Sequence, residues 1–175
     1  GGAVGTQPAV PGLAARLGLA EPAMSWHTNR GRVGELAAAL GLACGAVGKV
    51  ARDVTLLAQT EVGEVHEASP GRSTAMPHKR NPVASICAVA SAMQSPGLVA
   101  TVLSAMVQEH QRAAGAWHAE WRPMRELLIS TGSAAAWLRA CLTGLRVNRD
   151  AMAANLSAGG RAENGIELFS MRGKR

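Results

Sequence analysis

The sequence predicts an all-α fold, a bundle of long helices. Three observations carry that prediction. Hydrophobic residues make up 47% of the 175-residue chain but aromatics only 3%, with no Tyr and one Phe. A core of Ala, Val and Leu suits closely packed helices better than a sandwich of aromatic strand pairs. Three stretches, residues 29–61, 82–108 and 117–145, repeat apolar side chains in steps of three and four, the period of a helix face. No alternating strand pattern and no internal repeat rises above noise.

Residues 1–20 are interrupted by Pro8, Pro11 and Gly12, leaving a short helix over 13–19. Residues 21–26 form a connector, after which Thr28 or Asn29 is suited to cap a helix. Over 29–61 the apolar positions Val33, Leu36, Leu40, Ala43, Val47, Val50, Val54 and Leu57 form a heptad-like seam. A helix of that length runs ~50 Å at 1.5 Å per residue and needs partners along its whole length. A polar connector over 65–81 follows; connectors that long are usually functional or disordered. A second helix over 82–108 points Val83, Ile86, Ala90 and Met93 inward, and Ser95-Pro96-Gly97 kinks or breaks it because Pro96 lacks an amide proton. Residues 109–115 make a turn. A third helix over 117–145 carries Trp117, Trp121, Met124, Leu128, Thr131, Ala135, Leu138, Leu142 and Leu145 on one face, with Pro123 tolerated near its start. Asn148 or Asp150 opens a short helix to Leu156. The Gly-rich, basic residues 157–175 read as loosely ordered.

Eighteen Lys and Arg against twelve Asp and Glu leave a formal charge of +6. The basic residues are scattered, clustering only at 72–80 and 172–175, and aromatic stacking platforms are nearly absent, which disfavours nucleic acid. An anionic small molecule fits better. No uninterrupted apolar run reaches the ~20 residues of a membrane span, and no secretory pattern is present. Cys44, Cys87 and Cys141 lie far apart within apolar helical patterns and read as reduced core thiols of a cytoplasmic protein. The five histidines show no metal-ligand spacing. The opening Gly1-Gly2-Ala3, without an initiator Met, reads as part of something longer.

The connector holds the chemistry. It reads Ser69-Pro70-Gly71-Arg72-Ser73-Thr74-Ala75-Met76-Pro77-His78-Lys79-Arg80-Asn81-Pro82. Asn81 can cap the following helix and Pro82 suits its first position. That arrangement brings Ser73, Thr74, His78, Lys79 and Arg80 close to a helix N-terminus, where free amides and the helix dipole favour an anion. The apolar seams alone fit a coiled-coil scaffold without chemistry, and a lone Ser73 would be a capping serine. A structural bundle has no need for a long polar loop of this composition.

The run Ser73-Thr74-Ala75-Met76-Pro77-His78-Lys79-Arg80-Asn81 resembles the Ser-Ser-x-Met-Pro-x-Lys-x-Asn loop of the aspartase/fumarase superfamily. It departs from that pattern at Arg72, where the family usually has glycine, in a loop that looks shortened. Segments 59–65 (Gln-Thr-Glu-Val-Gly-Glu-Val), 108–112 (Gln-Glu-His-Gln-Arg), 117–121 (Trp-His-Ala-Glu-Trp) and 26–30 (Trp-His-Thr-Asn-Arg) resemble the bacterial 3-carboxy-cis,cis-muconate cycloisomerase branch. The resemblance implies that residues 1–146 form part of the family's central helical domain and 147–175 the start of its C-terminal helical domain. It also implies a homotetramer whose active sites draw on three subunits. The N-terminal domain and a further catalytic histidine lie outside this sequence, so the segment by itself is expected to be inactive.

By the same resemblance Ser73 is the catalytic general base, Thr74 and Met76 shape the loop or touch substrate, and Lys79 and Asn81 bind substrate carboxylates. His78, Arg80 and Glu61, with Glu64 beside it, are second-rank candidates. A serine is a poor base unless its alkoxide is stabilised, and Lys79 with the helix from Pro82 is expected to do that. The implied reaction converts 3-carboxy-cis,cis-muconate to a carboxymuconolactone in aromatic-acid (protocatechuate, β-ketoadipate) catabolism, through a carboxylate-stabilised carbanion and with no cofactor. The partners expected are a small polycarboxylate and other copies of the chain, without nucleic acid or membrane. The alternatives are another superfamily lyase, such as one releasing fumarate from adenylosuccinate, or a non-catalytic helical oligomerisation module.

Overall fold

The computed structural model describes residues 9–21, 27, 29–76, 79–110 and 113–159. The expected tail lies largely outside that range. Seven helices dominate the described residues: α1 (Ala9–Leu17), α2 (Gly31–Leu57), α3 (Val83–Ala92), α4 (Ser95–Ser104), α5 (Ala116–Ala119), α6 (Trp121–Leu142) and α7 (Arg149–Gly159). The all-α, long-helix reading therefore holds. Four two-residue strands, which the sequence reading had not anticipated, are also present: β1 (Val65–His66), β2 (Gly71–Arg72), β3 (Arg80–Asn81) and β4 (Arg146–Val147). They form two antiparallel pairs, β1 with β4 and β2 with β3. Pairs this short have no periodicity to read.

The chain divides into two compact units. One comprises Gly1–Ala39 with Gly97–Glu126, the other Leu40–Pro96 with Leu127–Arg175. In the first, Ala37, Val102, Ala105 and Ala113 are buried. In the second, Cys44, Ala92 and Ala134 pack together with Val47 against them. A second cluster there joins Val54, Val65 and Cys141, flanked by Leu57, Ala58, Ala84 and Leu145.

The helix starts follow local chemistry. Asn29 Oδ1 accepts the Gly31 amide at 3.2 Å at the head of α2, and Asn148 Oδ1 accepts the Ala151 amide at 3.1 Å at the head of α7. The expected break in the second long helix falls at Met93–Gln94, so Pro96 sits in the first turn of α4, where its missing amide proton is tolerated. The first helix stops at Leu57, four residues short of expectation.

The buried faces correct the expected seams. In α2 the buried positions are Gly34, Ala37, Cys44, Ala51 and Val54. In α3 they are Ser85, Ala88 and Ala92, and in α6 Leu127, Ser130, Ala134 and Cys141. The expected seams are borne out in part: Val54 is buried, and Val47, Leu57 and Leu145 pack against the core clusters, whereas Leu36, Val50, Val83, Ile86, Met93, Leu128 and Leu142 are exposed. Small side chains let helix backbones approach closely, so within this chain the helices meet along their small-residue faces. The exposed bulky residues form apolar surface on the outer faces of these helices.

The same exposure gives two stretches, Gly31–Leu57 and Val83–Ser104, windows with mean hydropathy of 1.5 and 1.6, long and apolar enough to cross a membrane by length and composition. Counting uninterrupted apolar runs passes over them, because scattered polar residues break the runs while Ala and Val keep the mean high.

Leu127 is fully buried and its neighbour Leu128 half exposed. Leu127→Ala is expected to destabilise the chain by about 2–5 kcal/mol and Leu128→Ala by less than about 1 kcal/mol in urea unfolding; equal losses would reverse the assignment of the α6 core face.

Candidate active site at the serine loop

Two ladders form the foot of the loop. After α2 the chain turns through Gly63, at φ +60, and enters β1 with Val65 buried and His66 exposed. β1 pairs with the segment after α6, Val65 opposite Val147 and His66 opposite Arg146. Gly144, at φ +77, turns the chain out of α6, and a Cβ there would lie 3.1 Å from Ala68 Cβ. β2 then pairs with β3, Gly71 opposite Asn81 and Arg72 opposite Arg80. A side chain on Gly71 would collide with Val83 Cγ2, so glycine is required where β2 passes the start of α3. The ladders pair residues 65–66, 71–72 and 80–81 of the connector.

Glu67, absent from the sequence candidates, occupies the start of α3. Its side chain is buried at 6% exposure. Its Oε1 accepts the Ser85 amide at 2.8 Å and its Oε2 the Ala84 amide at 3.1 Å. Asn81, expected to cap this helix, does not: Pro82 is the N-cap residue, without a side-chain cap bond, and Asn81 is held in β3. The helix N-terminus expected to support an alkoxide or a substrate anion is therefore filled by a carboxylate of the chain itself, where the helix dipole stabilises it. Ser85 Oγ in turn donates to the Pro82 carbonyl at 3.0 Å and accepts Thr55 Oγ1–H at 3.2 Å, tying α3 to α2.

Cys141 lies against the same carboxylate. Burial first, then the Glu67 charge and a hydrogen bond to it, raise its thiol from 9.0 to about 11. All three cysteines are free thiols, Cys44 and Cys141 buried and Cys87 half-buried, as expected for core residues. Cys44 donates to Thr131 Oγ1 at 3.3 Å.

Ser73 is half-buried, and its Oγ accepts the Met76 amide at 3.1 Å. The turn is closed by the Lys79 amide donating to the Met76 carbonyl at 3.0 Å. A backbone N–H on Ser73 Oγ is a fixed dipole of the kind that stabilises an alkoxide. Thr74, Met76, Lys79 and Arg80 are exposed, Asn81 is half-buried, and His78 lies outside the described residues. Arg72, in the family's glycine position, is extended in β2, so no restriction on φ acts there. Glu61 is exposed in the turn after α2. Glu64 is committed elsewhere: Asn155 Nδ2 donates to its Oε1 at 2.9 Å and the Asn148 amide to its carbonyl at 2.8 Å, anchoring α7.

A cavity of about 370 Å³ opens at the foot of the loop, lined by His66, Glu67, Pro70, Arg80, Pro82 and Arg146 among others. Arg146 was also missed from the sequence, because it lies 80 residues beyond His66 and only the β1–β4 pairing brings the two together. Glu67 left no local signal either, since its partners are backbone amides 17 and 18 residues away.

The other compact unit joins two of the recognised segments. Arg30 Nε donates to Glu120 Oε2 at 2.9 Å, and Arg30 Nη2 pairs with Glu120 Oε1 in the second arm of the fork. His27 meets Trp117 edge-on with ring centroids 6.0 Å apart, and exposed His118 lies 4.7 Å from the Trp121 ring.

The profile of a family described as Lyase matches residues 2–97, and the chain belongs to that family. It is 49% identical over 152 residues to 3-carboxy-cis,cis-muconate cycloisomerase of Pseudomonas aeruginosa, covering 85% of this chain and 33% of the relative. It is 45% identical over 154 residues to nitrosuccinate lyase of Streptomyces davaonensis, covering 86% and 32%. The crystal structure of 3-carboxy-cis,cis-muconate lactonizing enzyme from Pseudomonas putida superposes with a TM-score of 0.75 at 42% identity, over 85% of this chain and 33% of that one. The chain spans about a third of the length of the curated relatives it matches.

Glu67→Ala strips the buried Ser85 amide and the part-buried Ala84 amide of their acceptor and is expected to cost about 1–3 kcal/mol and to speed hydrogen exchange at Ala84 and Ser85; unchanged exchange would show that the carboxylate does not cap α3. Because the Cys141 thiol is raised on folding, the unfolded chain gives up that proton first. The stability this contributes is full below pH 9 and is lost as pH rises to about 11. Denaturant midpoints should fall across that window in the wild type more than in Cys141→Ala, and parallel curves would rule out the linkage.

Proposed function

We propose that this chain is the serine-loop segment of a cycloisomerase that converts 3-carboxy-cis,cis-muconate to a carboxymuconolactone. The observation that carries the reading is the ordered Ser73–Asn81 motif, with Met76 N–H on Ser73 Oγ, in a chain 49% identical to a cycloisomerase. In lactonisation one carboxylate adds across a conjugated double bond and a proton is delivered beside another carboxylate. In reverse, Ser73 as alkoxide removes that proton to form a carboxylate-stabilised carbanion, and elimination follows. Met76 N–H stabilises the alkoxide, and Lys79, Arg80 and Asn81 offset the charge that accumulates on the substrate. Thr74 and Met76 shape the tip around it.

Assembly into a homotetramer is part of the proposal. The exposed bulky faces of α2, α3 and α6 are apolar surfaces that packing against further copies would bury. A cytoplasmic location agrees with three free thiols.

A second reading is favoured by one observation, the 45% identity to nitrosuccinate lyase. Removal of a proton beside a carboxylate followed by loss of a leaving group uses the same serine and the same cations, with a substituted succinate as substrate. In the polypeptide encoded by the complete reading frame, turnover of 3-carboxy-cis,cis-muconate is expected to follow the loss of diene absorbance. Nitrite release from nitrosuccinate without diene turnover would select the second reading. Ser73→Ala should lower the rate by about 10²–10⁴-fold, and unchanged turnover would remove Ser73 from the mechanism. The active species should sediment as a multiple of the chain mass; activity in a monodisperse monomer would sink the shared-site tetramer.

A further inference from the structure

We propose that the cavity at the foot of the serine loop is a carboxylate-binding site, in which Arg80, Arg146 and His66 hold one carboxylate of a small polycarboxylate ligand. The proposal deepens the reading above by assigning where a carboxylate is recognised, and it rests on that reading only for the identity of the natural ligand.

The two ladders build the site. His66 and Arg146 stand directly opposite each other in the β1–β4 pair, so their Cβ atoms are about 5 Å apart on one face. Both line the cavity. Arg80 lines it too, carried there by β3, whose partner strand β2 closes the neck of the loop. At about 370 Å³ the space falls within the range of small-ligand pockets, roughly 300–1,000 Å³. A guanidinium fork matches the two oxygens of a carboxylate, and two forks with an imidazole beside them suit one anionic group with several acceptor lone pairs.

The charge balance points the same way. The one acid lining the cavity is Glu67, and both of its oxygens are engaged by the Ala84 and Ser85 amides. Its oxygens are turned to the helix amides and it is in no ion pair with either arginine, so the cavity lining carries two arginines against one carboxylate. Among the described residues neither Arg80 nor Arg146 has an ion-pair partner. With the head of α3 closed by Glu67, the arginines that line the cavity and can meet an incoming anion are Arg80 and Arg146.

The probe is propane-1,2,3-tricarboxylate, which carries three carboxylates and cannot react, titrated into this chain by calorimetry at low ionic strength. Arg80→Met and Arg146→Met are each expected to weaken binding at least tenfold. Arg139→Met, on an exposed position of α6 outside the cavity, should change it less than twofold. Unchanged affinity in Arg146→Met, or equal losses in all three variants, would overturn the site. Tighter binding of inorganic phosphate than of the tricarboxylate would overturn its assignment to carboxylates. Should Arg146→Met fail to fold, amide shifts of the wild-type chain during the same titration decide the matter. Changes centred on residues 66–70, 80–82 and 146–147 support the site, and changes elsewhere alone reject it. None of these readouts involves turnover, so failure of the cycloisomerase reading leaves them interpretable.

Discussion

The carboxylate of Glu67 at the head of α3 is the constraint on which the loop depends. A helix begins with amides that have no partner inside it, and burying them without acceptors is costly. Here the acceptor comes from the strand entering the loop. One buried charge thereby satisfies the helix, fixes the end of β1 against it and draws in the Cys141 thiol from α6. Three elements distant in sequence meet at a single side chain. The loop then springs from a foot in which β2 and β3 are paired with each other and β1 with β4.

This arrangement redistributes electrostatic roles. A helix N-terminus beside a serine loop invites the idea that its dipole faces the substrate, but the chain has already used that position. The donor on Ser73 Oγ is instead the Met76 amide, and in the carboxylate site proposed above the anion meets arginines carried on strands. Backbone pairing sets where these exposed arginines leave the chain, and among the described residues neither is in an ion pair.

The helices follow a similar division of labour. Their small-residue faces meet within the chain, where Gly34, Ala37, Cys44, Ala88, Ala92 and Ala134 allow close approach. Their bulky faces are displayed outward. A helix such as α2, with five glycines in its 27 residues, has modest intrinsic propensity and is maintained by packing on its sides. The buried and the exposed apolar positions alternate within the same heptads, as at Leu127 and Leu128, and composition alone does not say which face is buried inside the chain.

Read without coordinates, the chain discloses its long helices and the break before Pro96, because periodicity, proline and capping residues such as Asn29 and Asn148 act over a few neighbouring residues; it does not disclose that α1 begins at Ala9 rather than at residue 13, or that the third helix is divided into α5 and α6. It also discloses the serine motif, a contiguous run of uncommon residue choices. Tertiary structure alone decides which helix face is buried, that Glu67 rather than Asn81 serves α3, and that Arg146 stands beside His66. Those outcomes depend on contacts across tens of residues, between backbone amides and side chains whose local sequence carries no mark of the partner. Local chemistry sets the elements; the energetics of burying unpaired amides and fitting small faces together sets how they meet.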